Sequence, residues 1–149
     1  MLDKIIYEKI SRYCAENEKT ASDVVRKLRA YKVDASEFDS YLAALKNDNF
    51  LHEERFAKAY IEAHARKKWG KIKMKSALRQ KGLSSDLIEK QLENVENKEY
   101  GEGLMYLAEK KIKSIRNGTD KEKKGKLIRF LLGRGFEMGK ILAAIKTMQ

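Results

Sequence analysis

Apolar positions recur along this chain with a long period as well as a short one. With Leu28, Leu78 and Leu131 as anchors, the residue four positions earlier is Val24, Met74 or Leu127. Five positions after each anchor come Val33, Leu83 and Phe136, and ten after come Phe38, Ile88 and Ile141. Fourteen after lie Leu42, Leu92 and Ile145, and seventeen after lie Leu45, Val95 and Met148. All of these positions are apolar in a chain that is 42% hydrophobic overall. Self-similarity at a spacing of about 50 residues is the signature of tandem helical modules. Upstream of the anchors the first two copies also agree at Ile6/Phe56 and Ile10/Tyr60, whereas the third drifts around Asn117–Lys124.

Within each module the short period is that of an amphipathic helix. In the second, the spacing predicts a helix over Glu53–Lys68 with Phe56, Ala59, Tyr60 and Ala63 on one face, broken at Trp69-Gly70. A second helix, Lys71–Lys81, follows around Met74, Ala77 and Leu78 and closes at Gly82, which can take a left-handed cap. Ser84 or Ser85 then caps a third helix, Asp86–Asn94. Thr20…Asp23, Asp34…Glu37 and Thr119…Glu122 carry the cap-then-acid spacing that starts helices. Gly135 holds the repeat position of Gly82, but the first module has Lys32 there, so a differently built turn is expected. The expected units are residues 1–51, 52–96 and 97–149. A bundle of about 50 residues is marginal alone. The expected fold is therefore all-α: three tandem three-helix repeats stacked into an elongated, curved rod.

Composition agrees. Ala, Glu, Lys, Leu and Arg supply 77 of 149 residues, there is no proline, and only four valines are present, which disfavours a buried sheet. No stretch approaches the about 20 consecutive apolar residues of a membrane span. The N-terminus lacks the layout of a secretory signal. One cysteine, Cys14, excludes an internal disulfide framework and fits a buried small hydrophobe in a reducing compartment. A cytoplasmic protein is expected.

Charge changes the picture. The net +11 is absent from residues 1–51, which balance nine basic against nine acidic side chains. Arg66, Lys67, Lys68, Lys71, Lys73, Lys75, Arg79 and Lys81 form a sixteen-residue run without a carboxylate. Such a run forgoes every local ion pair and attracts polyanions or an acidic protein face. Lys71, Lys75 and Arg79 form an i, i+4, i+8 stripe suited to lining a concave surface. Trp69 at its corner is a candidate interface anchor or, equally, a residue packing between modules, and it alone of the aromatics suits stacking on a single strand. A secondary run comprises Lys110, Lys111, Lys113, Arg116, Lys121, Lys123, Lys124 and Lys126; a solvated surface is the alternative there.

Catalysis finds little. His52 and His64 lack a partner at metal-ligand spacing, and the glycines form no phosphate-cradling loop. No catalytic, cofactor or metal residues are assigned; a binding protein is expected. Helix-turn-helix DNA reading is disfavoured because the third helices are acidic or balanced, as in Asp86, Glu89 and Glu93 against Lys90.

The stretch Asn49-Phe-Leu-His-Glu-Glu-Arg-Phe-Ala-Lys-Ala-Tyr, with Lys68-Trp-Gly-Lys-Ile-Lys and Leu78-Arg-Gln-Lys-Gly-Leu, closely resembles the central motif of the RecX family, small bacterial regulators of the RecA recombinase. Arg134-Gly135-Phe136 is the best outer signal. His52 stands where the family usually has an acid, a change expected to affect only the helix cap. The resemblance implies a curved rod of three three-helix repeats that binds in the groove of the RecA–single-stranded DNA filament. It also implies restraint of filament extension, ATP hydrolysis and strand exchange in recombination and DNA repair. The alternative is a direct DNA- or RNA-binding helical protein without a recombinase partner. A monomer is expected.

Overall fold

The computed structural model describes residues 2–149. Among them nine α-helices follow one another: α1 (Lys4–Glu16), α2 (Ala21–Ala30), α3 (Phe38–Asn47), α4 (Glu53–Arg66), α5 (Lys71–Gln80), α6 (Ser85–Leu92), α7 (Asn97–Ser114), α8 (Asp120–Gly133) and α9 (Met138–Met148). A 3₁₀ turn, Ala35–Glu37, leads into α3. None of these helices is long and apolar enough to cross a membrane.

Helix starts follow their side chains. Thr20 and Asp23 form a reciprocal capping box, and so do Thr119 and Glu122. Ser84 Oγ accepts the Leu87 N–H at 3.3 Å. His52 caps α4, its Nδ1 accepting the Arg55 N–H at 3.1 Å, so the imidazole does the work of the usual carboxylate or hydroxyl. Asp34 caps only the 3₁₀ turn, through the Ser36 N–H, so α3 begins later than its cap-then-acid spacing suggests.

The repeat is reproduced down to its turns. Each anchor leucine is fully buried, and its carbonyl accepts the amide five residues on: Val33 at 3.1 Å, Leu83 at 3.3 Å and Phe136 at 3.2 Å. The residue between is left-handed in every case, Gly82 at φ 92° and Gly135 at φ 94°. Lys32 occupies the same conformation at φ 62°, which corrects the expectation of a different turn. Its side chain is exposed, so the only cost is the Cβ strain of the left-handed region, roughly 1–2 kcal/mol.

Three separate cores result. Ile10, Val24, Leu28, Tyr41 and Leu45 centre the first, Ala57, Met74, Leu78 and Ile88 the second, and Ala108, Leu127, Leu131 and Ile141 the third. Val95 packs against both the second and the third. The accessible surface is 9768 Å². A compact monomer of this mass would expose about 7,800 Å². The excess, about a quarter, is what stacking three small cores end to end produces.

The second and third units lock together through main chain. Helix α4 ends at Arg66 because Lys68 turns left-handed at φ 61°, two residues short of the end at Lys68 that the sequence suggests. Gly70 serves instead as a point of close approach. Its N–H donates to Arg134 C=O at 2.8 Å, the Ile72 N–H donates to Gly135 C=O at 2.9 Å, and the Lys71 N–H donates to Tyr100 Oη at 2.8 Å. Helix α5 has no side-chain cap of its own. Its orphan amides are satisfied by the neighbouring unit. In return, the Arg134 guanidinium donates to Lys67 C=O at 2.6 Å and Lys68 C=O at 3.4 Å, placing a cation at the negative end of α4. The first unit meets the second differently, through an Arg55–Glu18 ion pair at 2.8 Å.

Candidate nucleic-acid and partner interface

The cationic run of the central unit covers the end of α4, the Trp69-Gly70 corner and the length of α5. Arg66, Lys67 and Arg79 are exposed to solvent, while Lys68, Lys71, Lys73, Lys75 and Lys81 are half-buried and engaged. Lys75 Nζ lies 2.7 Å from Glu89 Oε1, a carboxylate held below its ordinary pKa by that hydrogen bond and charge. Lys71 Nζ sits 5.1 Å from the Tyr100 ring centre, Lys73 Nζ 4.0 Å from Trp69 and Lys81 Nζ 5.8 Å from Phe56. The Lys71, Lys75, Arg79 stripe is therefore unequal. Arg79 is free to meet a partner, Lys75 shares its charge with α6, and Lys71 turns to the seam with the third unit.

Trp69 packs within its own unit and not between units as expected, half-buried, with His64 at 4.4 Å and Tyr60 at 6.5 Å between ring centres. Lys73 over its ring gains a cation–π contact. Burial raises the Tyr60 phenol above its ordinary pKa. At the seam, Tyr100 is buried, takes the Lys71 amide on its hydroxyl and donates to the Glu137 carboxylate. Burial first, and then that carboxylate, push its pKa up.

The secondary run divides in the same way. Lys110, Lys113, Arg116, Lys121, Lys124 and Lys126 are exposed; Lys123 is half-buried, and Lys111 lies 5.0 Å from the Phe130 ring centre. The two runs meet at one aromatic residue that lies outside both of them. Tyr106 is 52% exposed, and Lys68 from the central unit and Lys110 from the third stand 4.8 Å and 5.9 Å from its ring centre. The signal was legible: on a helix, the neighbours at i−4, i−3, i+3 and i+4 are Glu102, Gly103, Glu109 and Lys110, so this ring has no apolar stripe to join. Beside it, a cleft of about 330 Å³ opens between the second and third units, walled by Ile61, Ala65, Val95 and Phe136 and rimmed by Arg66, Lys68 and Glu99.

Stacked three-helix units with a cationic corner and no shared core define a tandem helical-repeat protein. Residues 53–92 match the family model described as the RecX second three-helix domain, and residues 99–145 that of the RecX third three-helix domain. The regulatory protein RecX of Acinetobacter baylyi (strain ATCC 33305 / BD413 / ADP1) is 30% identical over 134 residues, 89% of this chain and 80% of that protein. That of Clostridium botulinum (strain Eklund 17B / Type B) is 34% identical over 122 residues, 80% of this chain. The chain spans 57% to 62% of the length of such clostridial relatives. A crystal structure of RecX from Lactobacillus salivarius superposes with a TM-score of 0.85 at 22% identity, covering 95% of this chain and 92% of that one. A second, of a regulatory protein RecX, gives 0.87 at 21% identity, covering 94% of this chain and 71% of that one. The chain belongs to the RecX family.

Proposed function

We propose that this chain is a regulator of the RecA recombinase that lies along the RecA–single-stranded DNA filament and restrains its extension, ATP hydrolysis and strand exchange. The action is by occupancy: a stacked helical body spans neighbouring protomers and opposes their rearrangement. The observation that carries this is the continuity of positive charge, from Arg66 and Lys67 through Lys68 to Lys110, across a seam stiffened by main-chain hydrogen bonds. A rigid cationic flank suits a long, negatively charged assembly better than it suits a small ligand. The relatives carry the name regulatory protein RecX, which supports a regulatory role.

The test is RecA ATPase and strand exchange with added protein at stoichiometric coverage. Slowed turnover is expected, and no effect on either rate rejects the proposal. Exchanging Arg66, Lys67 and Arg79 for glutamine should weaken filament binding and flatten its salt dependence. A second function, direct binding of nucleic acid without a recombinase, is favoured by the exposed Tyr106. It requires equal affinity for naked and RecA-coated single strands, which a gel-shift comparison resolves.

A further inference from the structure

Tyr106 is set apart from the other tyrosines. Tyr41 and Tyr100 are buried, and Tyr7, Tyr13, Tyr31 and Tyr60 pack half-buried against the cores. The Tyr106 ring is half exposed on α7 with two ammonium groups over it, and the charges around it are sorted. Helix geometry puts Gly103 and Lys110 on one flank and Glu102 and Glu109 on the other. Lys68 arrives on the Gly103 flank, where its stem lies against α7: its Cγ would stand 3.5 Å, an ordinary contact distance, from a Cβ at position 103. Both ammonium groups thereby reach the ring's surroundings from the same side.

The geometry points to Tyr106 as a stacking platform for one base of a single-stranded nucleic acid, with Lys68 and Lys110 receiving the phosphates on either side. This deepens the proposed function and rests on its polyanionic partner, but it does not require the recombinase. A protein partner would bury the ring among apolar side chains, and the neighbours of Tyr106 one turn away on α7 are charged or glycine. A duplex keeps its bases inside the stack, whereas an unpaired strand offers a π-face that any aromatic ring can take. The acidic flank of Glu102 and Glu109 repels phosphate, so the strand is confined to the Lys68–Lys110 side, next to the cleft that Lys68 and Gly103 also line. The lysine stems are flexible enough to swing from the ring to a phosphate as a base arrives.

The test is fluorescence anisotropy of a labelled oligothymidylate with the full chain. Tyr106→Ala should weaken binding roughly 5- to 150-fold, the cost of one lost base stack, without changing the salt slope. Tyr106→Phe should bind as the parent does. Lys110→Gln should flatten the slope by about 0.7. Since the ring is exposed, circular dichroism and the melting temperature should not move. Parent-like affinity of Tyr106→Ala, equal loss in Tyr106→Phe, or no oligonucleotide binding by the parent chain overturns the platform. The same variants assayed on RecA filaments separate the two proposals. Oligonucleotide binding that depends on Tyr106 with no filament binding removes the recombinase and keeps the platform. Filament binding with no dependence on Tyr106 in either assay does the reverse.

Discussion

Replacing Gly70 with alanine adds one methyl group at the tightest point of the seam. Its φ of −76° and ψ of 159° suit any residue, so the backbone itself exacts nothing. The new Cβ would stand 2.0 Å from the Gly135 carbonyl carbon, 2.1 Å from its oxygen and 2.2 Å from the Phe136 nitrogen, all main-chain atoms with no side chain to swing away. Restoring ordinary contact requires the second and third units to part by roughly 1.5 Å. That stretches the Gly70, Lys71 and Ile72 amide bonds, now 2.8, 2.8 and 2.9 Å, beyond hydrogen-bonding range. At about 1 kcal/mol each, the three bonds are worth about 3 kcal/mol. The controls isolate this cause. Gly82→Ala carries only left-handed strain, since its φ is 92° and nothing lies within 4 Å, and should cost about 1–2 kcal/mol. Gly101→Ala, in the open interior of α7, should gain about 0.5–1 kcal/mol. Urea unfolding followed by circular dichroism measures all three. A Gly70→Ala midpoint equal to the parent's, or a loss no larger than that of Gly82→Ala, would refute the account of the seam.

Lys32→Gly removes the strain of a left-handed lysine at φ 62° while freeing the unfolded chain. A net gain of about 0.5–1 kcal/mol is expected, seen as a melting point raised by about 1–4 °C. Stability should also fall as pH rises above the ordinary tyrosine value of 10.0. Burial, followed by its hydrogen bond to Asp48, pushes Tyr7 up to about 12, and Tyr13, Tyr60 and Tyr100 are raised in the same direction. A raised acid favours its neutral form in the fold, so its contribution is complete below 10.0 and is lost as pH climbs through the folded value. Denaturation on either side of that pH should show the decline, and Tyr7→Phe should lessen it; a flat profile would contradict the burial assigned to these phenols.

The architecture was legible because a leucine anchor, its flanking apolar positions and the capping residues are local signals that repeat. Threonine caps announced α2 and α8, and the histidine cap of α4 follows from hydrogen-bond chemistry at that position. The seam was not legible. Gly70 reads as a helix breaker, whereas its role depends on Gly135 and Arg134, a separation of the same order as the 67 residues between Arg134 and Lys67. Lys32 misled because sequence marks left-handed turns by glycine, and a solvent-facing lysine can bear the strain. For the cationic corner, spacing indicated which face the lysines share but not which are already engaged. That Lys75 reaches Glu89 on α6 depends on how α5 and α6 pack. Tyr106 lay within reach, since the residues around it on the helix declare a ring with no hydrophobic company.

The amides at the start of α5 find their acceptors on the next unit, so the central module is not a bead that can be cut from the string. Ending the chain after α6 would strand those donors and remove the guanidinium that closes α4. The joint is written in peptide groups completed by one phenol and one guanidinium, and a Cβ added at Gly70 or Gly135 would collide across it. Surface lysines can be exchanged freely while the angle between the units holds, so the molecule's grip can be retuned without bending its frame.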